Sequence, residues 1–164
     1  MKFLFQLTLL IMLSACSKRT DVQDLSAYFF ENQLAFNQIR DIGCSLNETL
    51  NTQFHYYKAD TALQYPEHLA TQFMKIDKML KKMKATGITI RPHLKSGAEC
   101  SLYIRSWAFG FAGDGGEMGY SYQPAKLFEY DPAIHLEENR NFKEKIHFTK
   151  ALSDGWFIEY VNEP

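Results

Sequence analysis

The chain has 164 residues, enough for one compact domain and hardly enough for two. Hydrophobic residues make up 46% and charged residues 23%, a globular composition that excludes wholesale disorder. The net charge of −1 lacks the basic excess that grips nucleic-acid phosphates, so no nucleic-acid partner is expected.

The N-terminus sets one cation, Lys2, ahead of an apolar run ending at Leu13, with Ser14 and Ala15 after it. That is the pattern of a secretory signal peptide. It is shorter than the about 20 apolar residues of a spanning helix. Leu13-Ser14-Ala15-Cys16 resembles the lipobox of bacterial lipoproteins, and the resemblance covers residues 1–16 alone. It implies removal of residues 1–15 and a diacylglyceryl group on the Cys16 sulfur. Acylation of the new amine, by palmitate or a similar chain, would follow. Such chains hold a protein to a bilayer at about 0.8 kcal/mol per buried methylene. Ser17 stands where an Asp commonly retains enterobacterial lipoproteins at the inner membrane. The resemblance therefore implies the outer membrane and its periplasmic face. Residues 16–20 become the lipidated Cys and a short tether, and 21–164 a single domain.

With Cys16 committed to lipid, Cys44 and Cys100 remain in an oxidising compartment and are expected to pair. Closing a loop of that length stabilises a fold by about 4 kcal/mol in the chain-entropy model. No CxxC redox motif and no closely spaced cysteine pairs of a zinc site are present.

Asp21 is placed to cap a first helix, with Val22, Leu25, Phe29, Phe36 and Ile39 near one face. Asn32 marks a bend, and Gly43 suits the end of the helix. Residues 45–64 read as polar and irregular, anchored by Phe54, Tyr56 and Tyr57. Pro66 opens a second helix that Gly87 ends. Leu69, Phe73, Ile76, Leu80 and Met83 recur along it at helical steps. Lys78, Lys81, Lys82 and Lys84 crowd its last turns and read as a solvated face rather than an anion site. Strands are predicted at 88–90, 99–111, 118–123, 146–152 and 156–161, the last two joined by Ser153-Asp154-Gly155. Residues 124–145 form a long connection with room for a short strand or a helical turn. The order predicts an α+β domain, with two N-terminal helices packed on one face of a four- to five-stranded antiparallel sheet.

Catalytic signatures fail: G-x-S-x-G, S-x-x-K and H-E-x-x-H are missing. His55, His68, His93, His135 and His147 are all more than five residues apart, so no local metal pair is visible. No metal and no cofactor are expected. Gly110, Gly113, Gly115, Gly116 and Gly119 fit neither a phosphate-cradling nor a calcium-binding loop. They predict a flexible hairpin tip over 110–119, with Gly113, Asp114, Gly115, Gly116 and Glu117 as candidate partner contacts. Tyr103, Trp107, Phe109, Phe111, Tyr120 and Tyr122 flank it. Alternation sends some of these rings to the helices and others toward solvent, unless the 124–145 segment covers them.

These features favour a non-enzymatic, outer-membrane-anchored binding protein. An inhibitor or immunity-type protein is one form of it. Its partners would be the bilayer, through Cys16, and an envelope or incoming protein. The alternative is a cell-wall glycan binder or glycan hydrolase. Asp114, Glu117 and Asp131 would be its carboxylates and His135 its acid or base.

Overall fold

A computed structural model describes residues 20–50, 53–92, 100–111, 114–141 and 143–164. Cys16 and residues 1–15, the expected signal sequence, lie outside these residues. The chain begins with α1 (Val22–Glu31) and α2 (Gln33–Leu50). The bend expected at Asn32 is a full break between helices. The Asn32 backbone N–H donates to Tyr28 O and Phe29 O, and its side-chain amide also donates to Tyr28 O, at 2.9 Å. Gly43 does not end the helix as expected. It lies within α2, where a Cβ would come within 3.0 Å of Leu102 Cδ2. A bare backbone there lets α2 sit close on the sheet.

α3 (Glu67–Lys82) buries Leu69, Phe73, Ile76 and Leu80 and leaves Lys78, Lys81, Lys82 and Lys84 exposed. Lys84, with φ of 55°, takes the left-handed position after this helix, and the Ala85 N–H donates to Leu80 O at 2.9 Å. Gly87 instead opens a strand. A further short helix, α4 (Pro132–His135), provides the turn expected within 124–145.

The strands are β1 (His55–Lys58), β2 (Gly87–Arg91), β3 (Ser101–Phe111), β4 (Asp114–Tyr122), β5 (Ile146–Ala151) and β6 (Trp156–Glu163). They form one antiparallel sheet in the order β1-β2-β3-β4-β6-β5. The fold is α+β as predicted, with six strands rather than four or five. The extra strand, β1, comes from the stretch read as irregular. Tyr57 fixes it, fully buried and stacked on Phe73 of α3 with centroids 4.2 Å apart.

The core lies between the helices and one face of the sheet. Phe36 sits at its centre, with ring centroids 4.8 Å from Phe29, 4.6 Å from Tyr120 and 5.2 Å from Trp156. Burying such a ring contributes roughly 2–3 kcal/mol. The Tyr120 hydroxyl donates to Leu25 O at 3.0 Å, so its polar end is satisfied inside the core. Cys44 of α2 and Cys100, just before β3, form the expected disulfide, with Cα atoms 5.2 Å apart.

Two contacts seat the N-terminal end of the domain. The Trp107 indole N–H donates to Thr20 O at 2.7 Å. Asp21 pairs with Arg140, whose side chain is only 2% exposed and lies over the Tyr160 ring at 4.7 Å. Among the described residues no helix is long and apolar enough to cross a membrane.

Candidate functional site

A β-bulge decides which side chains reach the second face of the sheet. The register of β3 on β4 shifts between Arg105 and Trp107. Before the bulge, Leu102 and Ile104 face the helices. After it, Trp107 and Phe109 do, and the parity of the strand is reversed. The expected solvent-facing aromatic patch is thereby dismantled. Trp107, Tyr120 and Tyr122 pack with the core, and Phe109 shares their face. Tyr103 stays on the other face, in line with Ser121 of β4 and Phe157 of β6.

That second face carries a pocket of about 270 Å³. Ser121 and Tyr103 line it along the strands, with Glu117 and Glu159 further in. Gly119 stands between Arg105 and Glu159 in the register. A Cβ on Gly119 would lie 2.3 Å from Ile104 O, so only glycine lets the bulged strand approach here.

The segment after β4 folds back as a wall. The Gln123 N–H donates to Gly155 O at 2.9 Å, and Pro124, Ala125 and Lys126 then line the pocket. Phe128 holds the segment to β5. Its N–H donates to Thr149 Oγ1 at 2.9 Å, and its carbonyl accepts from the Thr149 N–H at 3.0 Å. Its ring stacks on His147 at 3.5 Å, and Lys126 Nζ lies 4.6 Å from its centroid. The 124–145 segment therefore covers part of this face.

The charges are arranged in pairs with a remainder. Arg105 Nε lies 2.9 Å from Glu117 Oε2, and His147 Nε2 lies 3.1 Å from Glu159 Oε1. Arg91 and Lys126 have no carboxylate partner among the described residues. Arg91 lies over the Phe54 ring at 5.6 Å. Desolvation raises the Tyr103 phenol far above its ordinary range, and the nearby Glu117 and Glu159 charges raise it further. Tyr103 is thus a neutral hydroxyl, its proton directed to Glu117.

Few of the sequence-predicted site residues meet here. Glu117 joins the pocket; Gly115 and Gly116 are β4 residues paired on both sides, to β3 and to β6. The hairpin expected over 110–119 is present, but residues 110–111 and 114–119 belong to its strands rather than to its tip. At Gly115, φ of +137° and a would-be Cβ 2.0 Å from Phe109 O show that the glycine serves the strand geometry. Gly113 lies outside the described residues, and Asp114 opens β4. Asp131 and His135 are elsewhere. Asp131 caps α4, and the His135 ring stacks on the core residue Phe148 at 4.7 Å. Asp114, Glu117, Asp131 and His135 are therefore not one carboxylate–histidine set.

Arg91, Tyr103, Arg105, Ser121, Lys126, His147 and Glu159 were not predicted as site residues. The available signal was the polar half of each alternating strand, Glu117-x-Gly119-x-Ser121 in β4 above all. Among the described residues, no three His, Cys, Asp or Glu side chains are placed to hold a metal ion. Compared with known proteins, the chain matches no family model, no curated protein and no solved structure. The functional reading therefore rests on geometry and on the N-terminal sequence.

Proposed function

We propose that this chain is a lipid-anchored protein of the bacterial outer membrane that binds a partner in the periplasm without chemically altering it. The supporting observation is the pocket on the second sheet face, walled by 124–128 and lined by polar groups from β2, β3, β4, β5 and β6. A handful of convergent polar groups in a concavity is the usual form of a binding site. Rigid strands carry most of them, which suits recognition at low ordering cost. The lipobox supports the anchoring, and Ser17 the outer membrane.

Two measurements test the reading. Cys16→Ser should abolish incorporation of labelled palmitate and release the chain from the membrane fraction. Undiminished labelling of that variant would sink the anchoring. For binding, the full chain in detergent is compared with Tyr103→Phe and Glu159→Gln in crosslinking to envelope components. Equal yields from all three would remove the pocket from the binding surface.

A second reading, glycan hydrolysis, draws support from one feature. Glu117 and Glu159 are same-face diagonal neighbours on paired strands, a placement with about 7–8 Å between backbones. Glycoside hydrolysis uses two carboxyls about 5–9.5 Å apart. Release of reducing sugar from wall glycan, abolished by Glu117→Gln and by Glu159→Gln, is the outcome that reading requires.

A further inference from the structure

We infer that the pocket takes an anionic saccharide, a single sugar ring carrying one carboxylate or phosphate. The inference rests on the binding reading above and names its ligand. Charge is the first argument. Arg91 and Lys126 line the pocket and Arg105 stands beside it, paired to Glu117; the carboxylates lining it among the described residues are Glu117 and Glu159. Glu117 already holds Arg105, which leaves Arg91 and Lys126 against Glu159 alone, so the surplus among the described residues is positive. An anionic group on the ligand completes the balance, whereas an ammonium would compete with cations already in place.

Position is the second argument. Arg91 lies opposite Ser101 at the start of β3, and Lys126 follows closely after the end of β4, so both unpartnered cations sit at one end of the pocket. Glu159 lies opposite Gly119, two residues further in than Ser121, or about 7 Å along the strand. One sugar ring spans that interval. Its acidic substituent would lie at Arg91 and Lys126, and its hydroxyls would reach Glu159 and Ser121.

The hydrogen-bonding inventory is the third. A paired carboxylate keeps free lone pairs, so Glu117 and Glu159 still accept from hydroxyls. The Tyr103 hydroxyl, whose proton is directed to Glu117, keeps lone pairs to accept, and the Ser101 and Ser121 hydroxyls serve either role. Size agrees: about 270 Å³ lies just below the range of sites for drug-sized ligands, which suits one ring and not a folded peptide segment. Base stacking is disfavoured, because one face of Phe128 holds His147 and Lys126 also lies over the ring.

Calorimetry on the full chain in detergent tests this with four probes. They are N-acetylmuramic acid, glucose 6-phosphate, neutral N-acetylglucosamine and inorganic phosphate. At least one charged sugar should bind about tenfold or more tighter than both the neutral sugar and free phosphate. Which one does so separates a carboxylate-bearing from a phosphate-bearing ligand. Arg91 and Lys126 are exposed, so Arg91→Gln and Lys126→Gln should leave folding intact and weaken that binding about tenfold each. Lys78→Gln, on the far side of α3, should change nothing. Failure of both charged sugars to bind at about 10 mM overturns the inference, as does equal binding of the neutral sugar. Binding that ignores Arg91→Gln and Lys126→Gln overturns it too. If the chain still crosslinks to an envelope partner in any of those cases, the saccharide falls and the binding reading stands. If it crosslinks to nothing, both fall.

Discussion

Trp156, Ile158 and Tyr160 of β6 point into the helix layer and are at most 1% exposed, while Phe157, Glu159 and Val161, one residue out of step, are half-buried on the opposite side. The same alternation divides β4, with Met118 and Tyr120 inside and Glu117 and Ser121 outside. One face of the sheet thus holds the packing that makes the domain stable. The other holds charges that contribute little to stability and are free to serve recognition. Ion pairs near the surface are worth about 1 kcal/mol or less, against several for a buried aromatic ring. The division predicts that substitutions on the two faces separate stability from binding.

The largest effect should come from the helix-covered face. Phe36→Ala removes a ring that is 0% exposed and pairs with four other aromatics, and should cost about 3–5 kcal/mol in chemical unfolding. A loss below about 1 kcal/mol would mean that the core does not centre there. Arg140→Ala comes next. It leaves Asp21 without its buried partner, and about 3 kcal/mol should be lost. Gly115→Ala forces a side chain onto φ of +137° against Phe109 O, and should cost about 1–3 kcal/mol. If that variant is as stable as the parent, the glycine was not needed for the strand and the expected loop role returns.

Arg105→Gln, on the open face, should cost less than about 1 kcal/mol, because its pair with Glu117 is half-exposed. An effect as large as that of Phe36→Ala would break the comparison between faces. The smallest effect is a pH dependence. Burial lowers the imidazole pKa of His55 and of His135 below the ordinary 6.5. The unfolded chain therefore binds these protons at a higher pH than the folded one does. Their stabilising contribution is complete above pH 6.5 and is lost as the pH falls through the folded values. Thermal scans from pH 7 to 5 should show a falling Tm, with a shallower fall in the double variant His55→Gln, His135→Gln. A Tm that rises on acidification would contradict the burial of these rings.

The strongest sequence signals mark elements that bury one continuous stripe. α3 shows this best, since Leu69, Phe73, Ile76 and Leu80 at helical spacing leave no other face to bury. The β5–β6 hairpin was equally plain, with Ser153-Asp154-Gly155 at its turn. β1 was hidden because four residues give only one buried side chain, Tyr57, and a single buried residue has no period. The pocket was hidden for another reason. A bulge is one inserted residue, and nothing in Arg105-Ser106-Trp107 announces it. Counting parity from Tyr103 puts Trp107 and Phe109 on its face, whereas the register puts them on the other. Glu117 drew notice through its glycine neighbours. Glu159, His147 and Arg91 come from three other strands, and only the strand order places them around it.

The bond from the Trp107 indole to Thr20 O also gives the molecule a compass bearing. On the proposed anchoring, three residues lie between Cys16 and Thr20, a leash of four steps and no more than about 14 Å. Trp107 lies toward the hairpin end of β3, and Ser101 lies about 20 Å away toward the other end. The domain would therefore stand on its β3–β4 hairpin, with its strands rising from the bilayer. Arg91 and Lys126, at the far end, would crown it. Lengthening the leash would loosen that bearing, since only its shortness keeps the Trp107 end beside the lipid.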